Sequence, residues 1–140
     1  MNILIVVKRQ SLQLFYSDRN LPVTCLVPET AMKDLEIINE KEFDTLLSKY
    51  LLPVAPKMLI QTILLLDNDV CFSTKLEPGK EEEIKKAQLD ASPFLHVVST
   101  SFSVEGNALF ITTNQDLIQS VGRVLESHRY AVLAVCPWQV

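Results

Sequence analysis

Few residues in this sequence could carry out chemistry, and they form no recognisable catalytic group. The three cysteines, Cys25, Cys71 and Cys136, lie far apart in apolar runs and form no C-x-x-C pair. A thiol could act as a nucleophile if a histidine base stood beside it, but neither His96 nor His128 belongs to a catalytic motif. The pattern therefore favours buried, reduced thiols in a cytosolic protein.

Two groups of carboxylates are candidates for binding a metal ion. Asp67 and Asp69 flank Asn68 directly after an apolar run, and such a pair could hold magnesium beside a phosphate. Asp-Asn-Asp is also common in turns, because these side chains bond to the local backbone. The trio 81–83 opens a predicted helix, on which neighbouring side chains point about 100° apart. We expect a turn and a solvated helix face, and we predict no metal site.

Serine and threonine are dense between residues 97 and 104, but no Gly-x-Ser-x-Gly motif presents one of them as a nucleophile. These residues alternate with Val98, Phe102 and Val104, and this alternation predicts a half-buried strand. We therefore interpret the hydroxyls as the exposed face of that strand and predict no catalytic residues.

Glycine is scarce, with only Gly79, Gly106 and Gly122 in the chain. Phosphate-binding loops rely on glycine, because the missing Cβ lets backbone N–H groups approach a phosphate. Gly79 is predicted to lie in a turn, Gly106 at a hairpin tip, and Gly122 where a helix packs closely on a sheet. The sequence therefore predicts no cofactor-binding residues and no cofactor.

The composition indicates one ordinary globular domain. The chain has 140 residues, of which 48% are hydrophobic, enough to form a core. Its net charge is −4 and its basic clusters are only two residues long, which argues against nucleic acid as a partner. The apolar N-terminal run 1–7 is too short for a membrane span or a signal-peptide core.

Hydrophobic periodicity predicts an α/β fold with a mixed sheet, in the order β-β-β-α-β-β-α-β-β-α-β. The first three strands should form an antiparallel meander. Asn39, with Glu42, should cap the first helix, and Thr113-x-x-Asp116 should form a capping box for the third. The predicted strands are 3–7, 12–16, 23–27, 59–66, 70–76, 97–104, 108–112 and 131–136, and the predicted helices lie at about 40–51, 80–90 and 114–128.

The arrangement of these elements predicts a central sheet with an insertion. The runs 3–7, 59–66 and 131–136 are apolar throughout, so they should lie at the centre of one sheet. The helices that contain Phe43 and Leu117 should cover it. Residues 70–112 should form a small inserted α/β lobe.

This arrangement resembles the first half of an actin-like fold. More narrowly, it resembles the PilM/GspL/PilN-like group of actin-like (ribonuclease-H-like fold) cytoplasmic domains of type IV pilus and type II secretion assembly. FtsA shares a similar β-α-β-β insertion. The similar segments are "TILLLDNDVCFSTKL" for the strand that enters the lobe, "KEEEIKKAQLDASPF" for the acidic helix, and "VVSTSFSVEGNALFITTNQDLIQSVGRVLESHRYAVLAVCP" for the hairpin, helix and last strand.

The resemblance implies a non-catalytic scaffold that binds other pilus or secretion assembly proteins in the bacterial cytoplasm, at the face of the inner membrane. ATP-binding actin-like proteins place an Asp-x-Gly type phosphate loop in their first hairpin. Here that turn is Lys8-Arg9-Gln10-Ser11, which has neither a glycine nor an acidic residue. GspL-like members are similar in having lost nucleotide binding.

Two alternatives remain open. The first is the nucleotide-binding half of an actin-like or ribonuclease-H-like enzyme, which would need carboxylates on its first and fourth strands to hold magnesium; only Asp67 meets this requirement. The second is an unrelated small α/β regulatory or ligand-binding domain. Because residues 137–140 directly follow an apolar strand, we also expect the chain to be the N-terminal part of a longer protein.

Overall fold

A computed structural model describes residues 1–138, which contain ten strands and three helices. The α/β order predicted from the sequence is confirmed, with one small hairpin added. The elements are β1 (Asn2–Val7), β2 (Ser11–Tyr16), β3 (Val23–Leu26), β4 (Met32–Lys33), β5 (Glu36–Ile37), α1 (Glu40–Tyr50), β6 (Ile60–Leu66), β7 (Phe72–Lys75), α2 (Glu81–Asp90), β8 (Val97–Val104), β9 (Asn107–Asn114), α3 (Gln115–Ser127) and β10 (Tyr130–Pro137).

The main sheet has five strands in the order β10-β6-β1-β2-β3. The predicted antiparallel meander forms β1, β2 and β3, and β6 runs parallel to both β1 and β10. The prediction that all three apolar strands are central is wrong for β10, which lies at the edge. The apolar run of β10 does not indicate burial, since Leu133 and Val135 are 61% and 39% exposed, and an apolar pattern does not report how many strands flank a strand.

Helices α1 and α3 cover one face of the main sheet and build the core. Alternate residues of each strand point toward them, and Ile5, Leu14 and Leu64 are almost completely buried there. The opposite face is more open, with Phe15 and Ile63 exposed to 38% and 40%. Among the described residues, the main sheet is therefore packed against helices on one side.

The caps of the two core helices differ in how well the sequence predicted them. The Asn39 side chain accepts a hydrogen bond from the Glu42 N–H at 3.0 Å, as predicted. The capping box at Thr113 is wrong, because Asn114 caps α3 and accepts from the Asp116 N–H at 3.1 Å. Thr113 instead donates its hydroxyl hydrogen to the Val70 carbonyl at 2.7 Å. Its position near the end of β9 directs the side chain toward the turn between β6 and β7.

A hairpin that the sequence did not predict joins β4 to β5. Its two turn residues, Asp34 and Leu35, both have positive φ angles of 51° and 66°, as a type I′ turn requires. The sequence signal for this turn is usually Asn-Gly or Asp-Gly, and it is absent here. Leu35 is 1% exposed, so burial of its side chain offsets the cost of a left-handed backbone.

The lobe, defined as β7, α2, β8 and β9, follows β6 and precedes α3 in the chain and has a sheet of its own. Its sheet has the order β7-β9-β8, and α2 packs on one face of it. Gly106 lies at the tip of the β8–β9 hairpin with a φ of 81°, as predicted. Gly122 does not mark close packing, since a Cβ added there would meet no atom within 4 Å.

Candidate functional site

A groove of about 290 Å³ lies between the lobe and the end of the main sheet. One wall is the face of the lobe sheet that points away from α2, and the other is the first turn of α3 with the ends of β6 and β10. Among the described residues, no lining side chain carries a charge. The apolar part of the lining is Leu66, Val98, Ile111, Ile118, Val135 and Pro137.

Strand alternation decides which side chains enter the groove. On β8, Val98 and Thr100 share a face with Ile111 of β9, because cross-strand partners point to the same side. Ile118 reaches the groove from the first turn of α3. The groove is thus built on two sheets and a helix, which hold its shape before any ligand arrives.

Two hydrogen bonds hold the lobe and the last strand beside the groove. Thr113 Oγ1 donates to the carbonyl of Val70, which joins the end of β9 to the turn that leaves β6. The N–H of Trp138 donates to the carbonyl of Leu66 at 2.8 Å, so the end of β10 stays paired with β6. The first bond therefore ties the lobe to the main sheet, and the second ties two strands of the main-sheet wall to each other.

The side chains that line the groove are suited to binding a ligand. The lining residues with hydroxyl or amide side chains are Ser99, Thr100, Thr112, Thr113, Gln115 and Gln119, and the others are aliphatic. None of these groups is paired with a base or held near a charge that would activate it. The groove therefore suits insertion of apolar side chains from a partner, with a few polar groups to set orientation.

Among the described residues, none of the cysteines and histidines considered as catalytic candidates lines the groove, and the two histidine side chains bond to other groups. His96 Nδ1 lies 3.0 Å from Asp116 Oδ1, and His128 Nε2 lies 2.9 Å from Ser48 Oγ. Burial raises the pKa of the Cys25 thiol to about 11. A thiol with such a pKa stays protonated at neutral pH and is a poor nucleophile.

Cys71 is also unsuited to nucleophilic chemistry. Burial, and then the nearby Asp67 and Asp69 carboxylates, raise its pKa to about 11. The third cysteine, Cys136, is half-buried and free. The prediction of buried thiols is confirmed for Cys25, whereas Cys71 and Cys136 are only partly buried.

The Asp67–Asp69 segment is a turn, as predicted. The Val70 N–H donates to the Asp67 carbonyl at 3.0 Å, and the Asp67 N–H donates to the Val7 carbonyl at 3.0 Å. Within residues 1–138, no three His, Cys, Asp or Glu side chains come close enough to share a metal ion. The prediction that the chain binds no metal and no cofactor stays a prediction.

The first hairpin turn, Lys8–Ser11, stands beside Asp67, because Val7 and Leu66 are partners in the parallel ladder. This is the position where the resemblance implies a phosphate loop in ATP-binding relatives. Gln10 Nε2 donates to the carbonyls of Val27 and Met32. Gln10 thus binds the turn to the segment that follows β3, and the turn offers no glycine for approach to a phosphate.

A polar cavity of about 340 Å³ lies on the other side of α3. Arg123 donates to Glu40 and, at 3.0 Å, to Asp44, while Ser120 donates to Glu40 at 3.1 Å. These bonds join α3 to α1 across about eighty residues of sequence. Sequence reasoning missed the cluster, because nothing local to either helix indicates that the two pack together.

Comparison with known proteins gives matches in structure alone. No protein-family model and no curated protein matches the sequence. A chain of the PilM-PilN type IV pilus biogenesis complex superposes with a TM-score of 0.59 and 11% identity, over 97% of this chain and 47% of that one. A Bacteroides thetaiotaomicron protein with an actin-like ATPase fold and unknown function gives 0.50 and 6%, over 96% and 51%.

The cytoplasmic domain of EpsL, an inner membrane component of the type II secretion system of Vibrio cholerae, also matches. Its TM-score is 0.46 and its identity 12%, over 97% of this chain and 56% of that one. This chain spans about half the length of each of these structures. The predicted likeness to part of an actin-like fold is confirmed by the first two, and at such low identity the likeness concerns the fold.

None of the helices in residues 1–138 combines the length and the apolar character needed to cross a membrane.

Proposed function

We propose that this chain is a non-catalytic assembly domain of a type IV pilus or type II secretion platform. It acts at the cytoplasmic face of the bacterial inner membrane, where it binds other assembly proteins. In this proposal residues 1–140 are the N-terminal domain of a longer protein, and the lobe of about residues 70–112 is an insertion in it. The groove between lobe and main sheet is the partner-binding site.

The observation that carries the proposal is the uncharged, apolar groove held between two sheets. Apolar grooves with a few polar groups are the usual form of a peptide or ligand site. The fold likeness to a PilM-PilN complex chain supports an assembly partner as the occupant. The side chain of Gln10, bonded behind the first hairpin turn, supports a role without nucleotide.

The substitution Val98→Glu tests the groove. Val98 is 40% exposed, so in the free chain a glutamate there can reach solvent without disturbing the fold. When a partner occupies the groove, the charge lies in an apolar site and opposes binding. We expect the affinity for the partner to fall at least tenfold, about 1.4 kcal/mol. The measurement is biolayer interferometry against each pilus or secretion protein encoded beside this chain.

The matched control is Ser73→Glu, which adds the same charge to an exposed position on the opposite edge strand of the lobe. It should bind partners as the unaltered chain does. Equal binding by the Val98→Glu variant would contradict the groove as the site. Isothermal titration with ATP and magnesium should give no heat, and micromolar binding would instead favour the nucleotide-binding alternative.

A further inference from the structure

The outer edge of β8 is an unprotected strand edge. β8 pairs with β9 on one side over eight residues without a register shift, from Val97 to Val104. The sequence VVSTSFSV contains no charge and no proline. A long, regular edge of this kind presents a row of unpaired N–H and C=O groups to another strand.

The other edges of the two larger sheets are protected. β3 has four residues and stands between Pro22 and Pro28. β10 has a register shift after Val132 and ends at Pro137. β7 has four residues and ends with Lys75. Proline, bulges, short strands and lysine all discourage pairing between edges, so β8 stands apart among the edges in the described residues.

We propose that β8 pairs antiparallel with β8 of a second copy of this chain, about a twofold axis. Three strands from each copy would then form one continuous sheet. β8 also lines the proposed partner groove through Val98 and Thr100, but this inference concerns the outer edge of the strand. It rests on the length, regularity and composition of one strand.

The composition of β8 favours a second copy as the occupant. In an antiparallel pair about a twofold axis a strand meets itself, so any charged residue near the centre would face its own copy, and like charges opposite each other destabilise a sheet. β8 has none. Antiparallel pairing about this axis also places the same face of both strands on one side of the joined sheet. Val98, Phe102 and Val104 of the two copies then form one continuous apolar row.

The surface beside the edge does not oppose a second copy. The α2 residues that lie next to Ser99–Ser101 carry both signs, Glu82 and Asp90 beside Lys85 and Lys86. Two such surfaces do not repel each other strongly, because neither carries charges of a single sign. The twofold pairing covers the open β8 edge of each copy. It therefore forms a closed dimer and leaves no β8 edge to which a third copy could add.

The substitution Ser101→Lys tests the interface. Ser101 is exposed and points to the α2 face, away from the groove. Analytical ultracentrifugation of the 140-residue chain should show a dimer for the unaltered protein. The Ser101→Lys variant should be monomeric, with a dissociation constant raised at least tenfold. Ser73→Lys, on the opposite edge of the same sheet, should remain dimeric.

A charge-swap mixture completes the test. Ser101→Glu should also be monomeric alone, and an equimolar mixture with the Ser101→Lys variant should dimerise again, because opposite charges then face each other. Circular dichroism must show that all variants are folded. A monomeric unaltered chain, a dimer that survives Ser101→Lys, or open-ended aggregation would each overturn the proposal.

Discussion

Replacing Tyr130 with alanine is expected to lower the free energy of unfolding by about 3–5 kcal/mol, as for other large buried aromatic residues. The Tyr130 side chain is completely buried at the start of β10. Its hydroxyl donates to the Leu52 carbonyl at 3.0 Å and lies 2.8 Å from the Tyr16 hydroxyl. Tyr16 in turn accepts from the Leu52 N–H at 3.1 Å. Urea unfolding followed by circular dichroism measures the change.

The variant Tyr130→Phe separates the ring from the hydroxyl. It keeps the volume but removes a donor from the Leu52 carbonyl, and we expect a loss of about 1–3 kcal/mol. The two hydroxyls thus fasten the segment after α1 to both β2 and β10. A loss below about 1 kcal/mol for Tyr130→Ala would contradict this account, since it would mean that the site collapses or is hydrated.

The same residue makes stability depend on alkaline pH. Burial, and then the Tyr16 hydroxyl, raise the pKa of the Tyr130 phenol above its ordinary value of 10.0. The folded state therefore favours the neutral phenol, and the unfolded state loses the proton first. This contribution is present below about pH 10 and declines as the pH rises above it. Tyr130→Phe should remove that part of the decline.

Replacing Asn114 with alanine is expected to cost about 2–4 kcal/mol, because one side chain serves two purposes. Its Oδ1 caps α3 at the Asp116 N–H, and its Nδ2 donates to the buried Leu35 carbonyl at 2.9 Å. Leu35 has a φ of 66° in the β4–β5 turn. Without Asn114, a left-handed residue would lose the bond that fixes its peptide group.

Two further variants separate the contribution of the helix cap from that of the bond to Leu35. Asn114→Asp keeps an oxygen to cap α3 but removes the donor to Leu35, so it should retain the cap and lose the turn contact. Asn39→Ala removes an exposed cap of α1 that has no second role, and about 1 kcal/mol is expected. Thermal unfolding of the three variants measures the comparison, and equal losses for Asn39→Ala and Asn114→Ala would contradict it.

Local patterns predicted the elements well, because their causes are local. The alternation of strands, the helical spacing of Phe43, Leu46 and Leu47, and the Asn39 cap all depend on neighbours within a few residues. The α/β order followed from them. The prediction failed at Thr113, where two adjacent polar residues could each cap α3, and the choice depended on the distant carbonyls of Val70 and Leu35.

The candidate groove could not be predicted from the sequence. Its lining runs from Leu66 to Pro137 and combines two sheets with α3, and no residue in it belongs to a motif. Each apolar side chain there has the same local pattern as a core residue. Only packing distinguishes Ile118, which reaches the groove, from Leu117, which is buried in the core.

By itself the sequence determined the three helices and the strands other than β4 and β5, the scarcity of reactive groups and the lack of glycine at the Lys8–Ser11 turn, since these are properties of composition and short-range spacing. The tertiary structure decided that β10 lies at an edge, that Asn114 holds Leu35, and that β8 has an open side. These features depend on which surfaces meet, and that choice minimises exposed apolar area and unpaired polar groups over the whole chain.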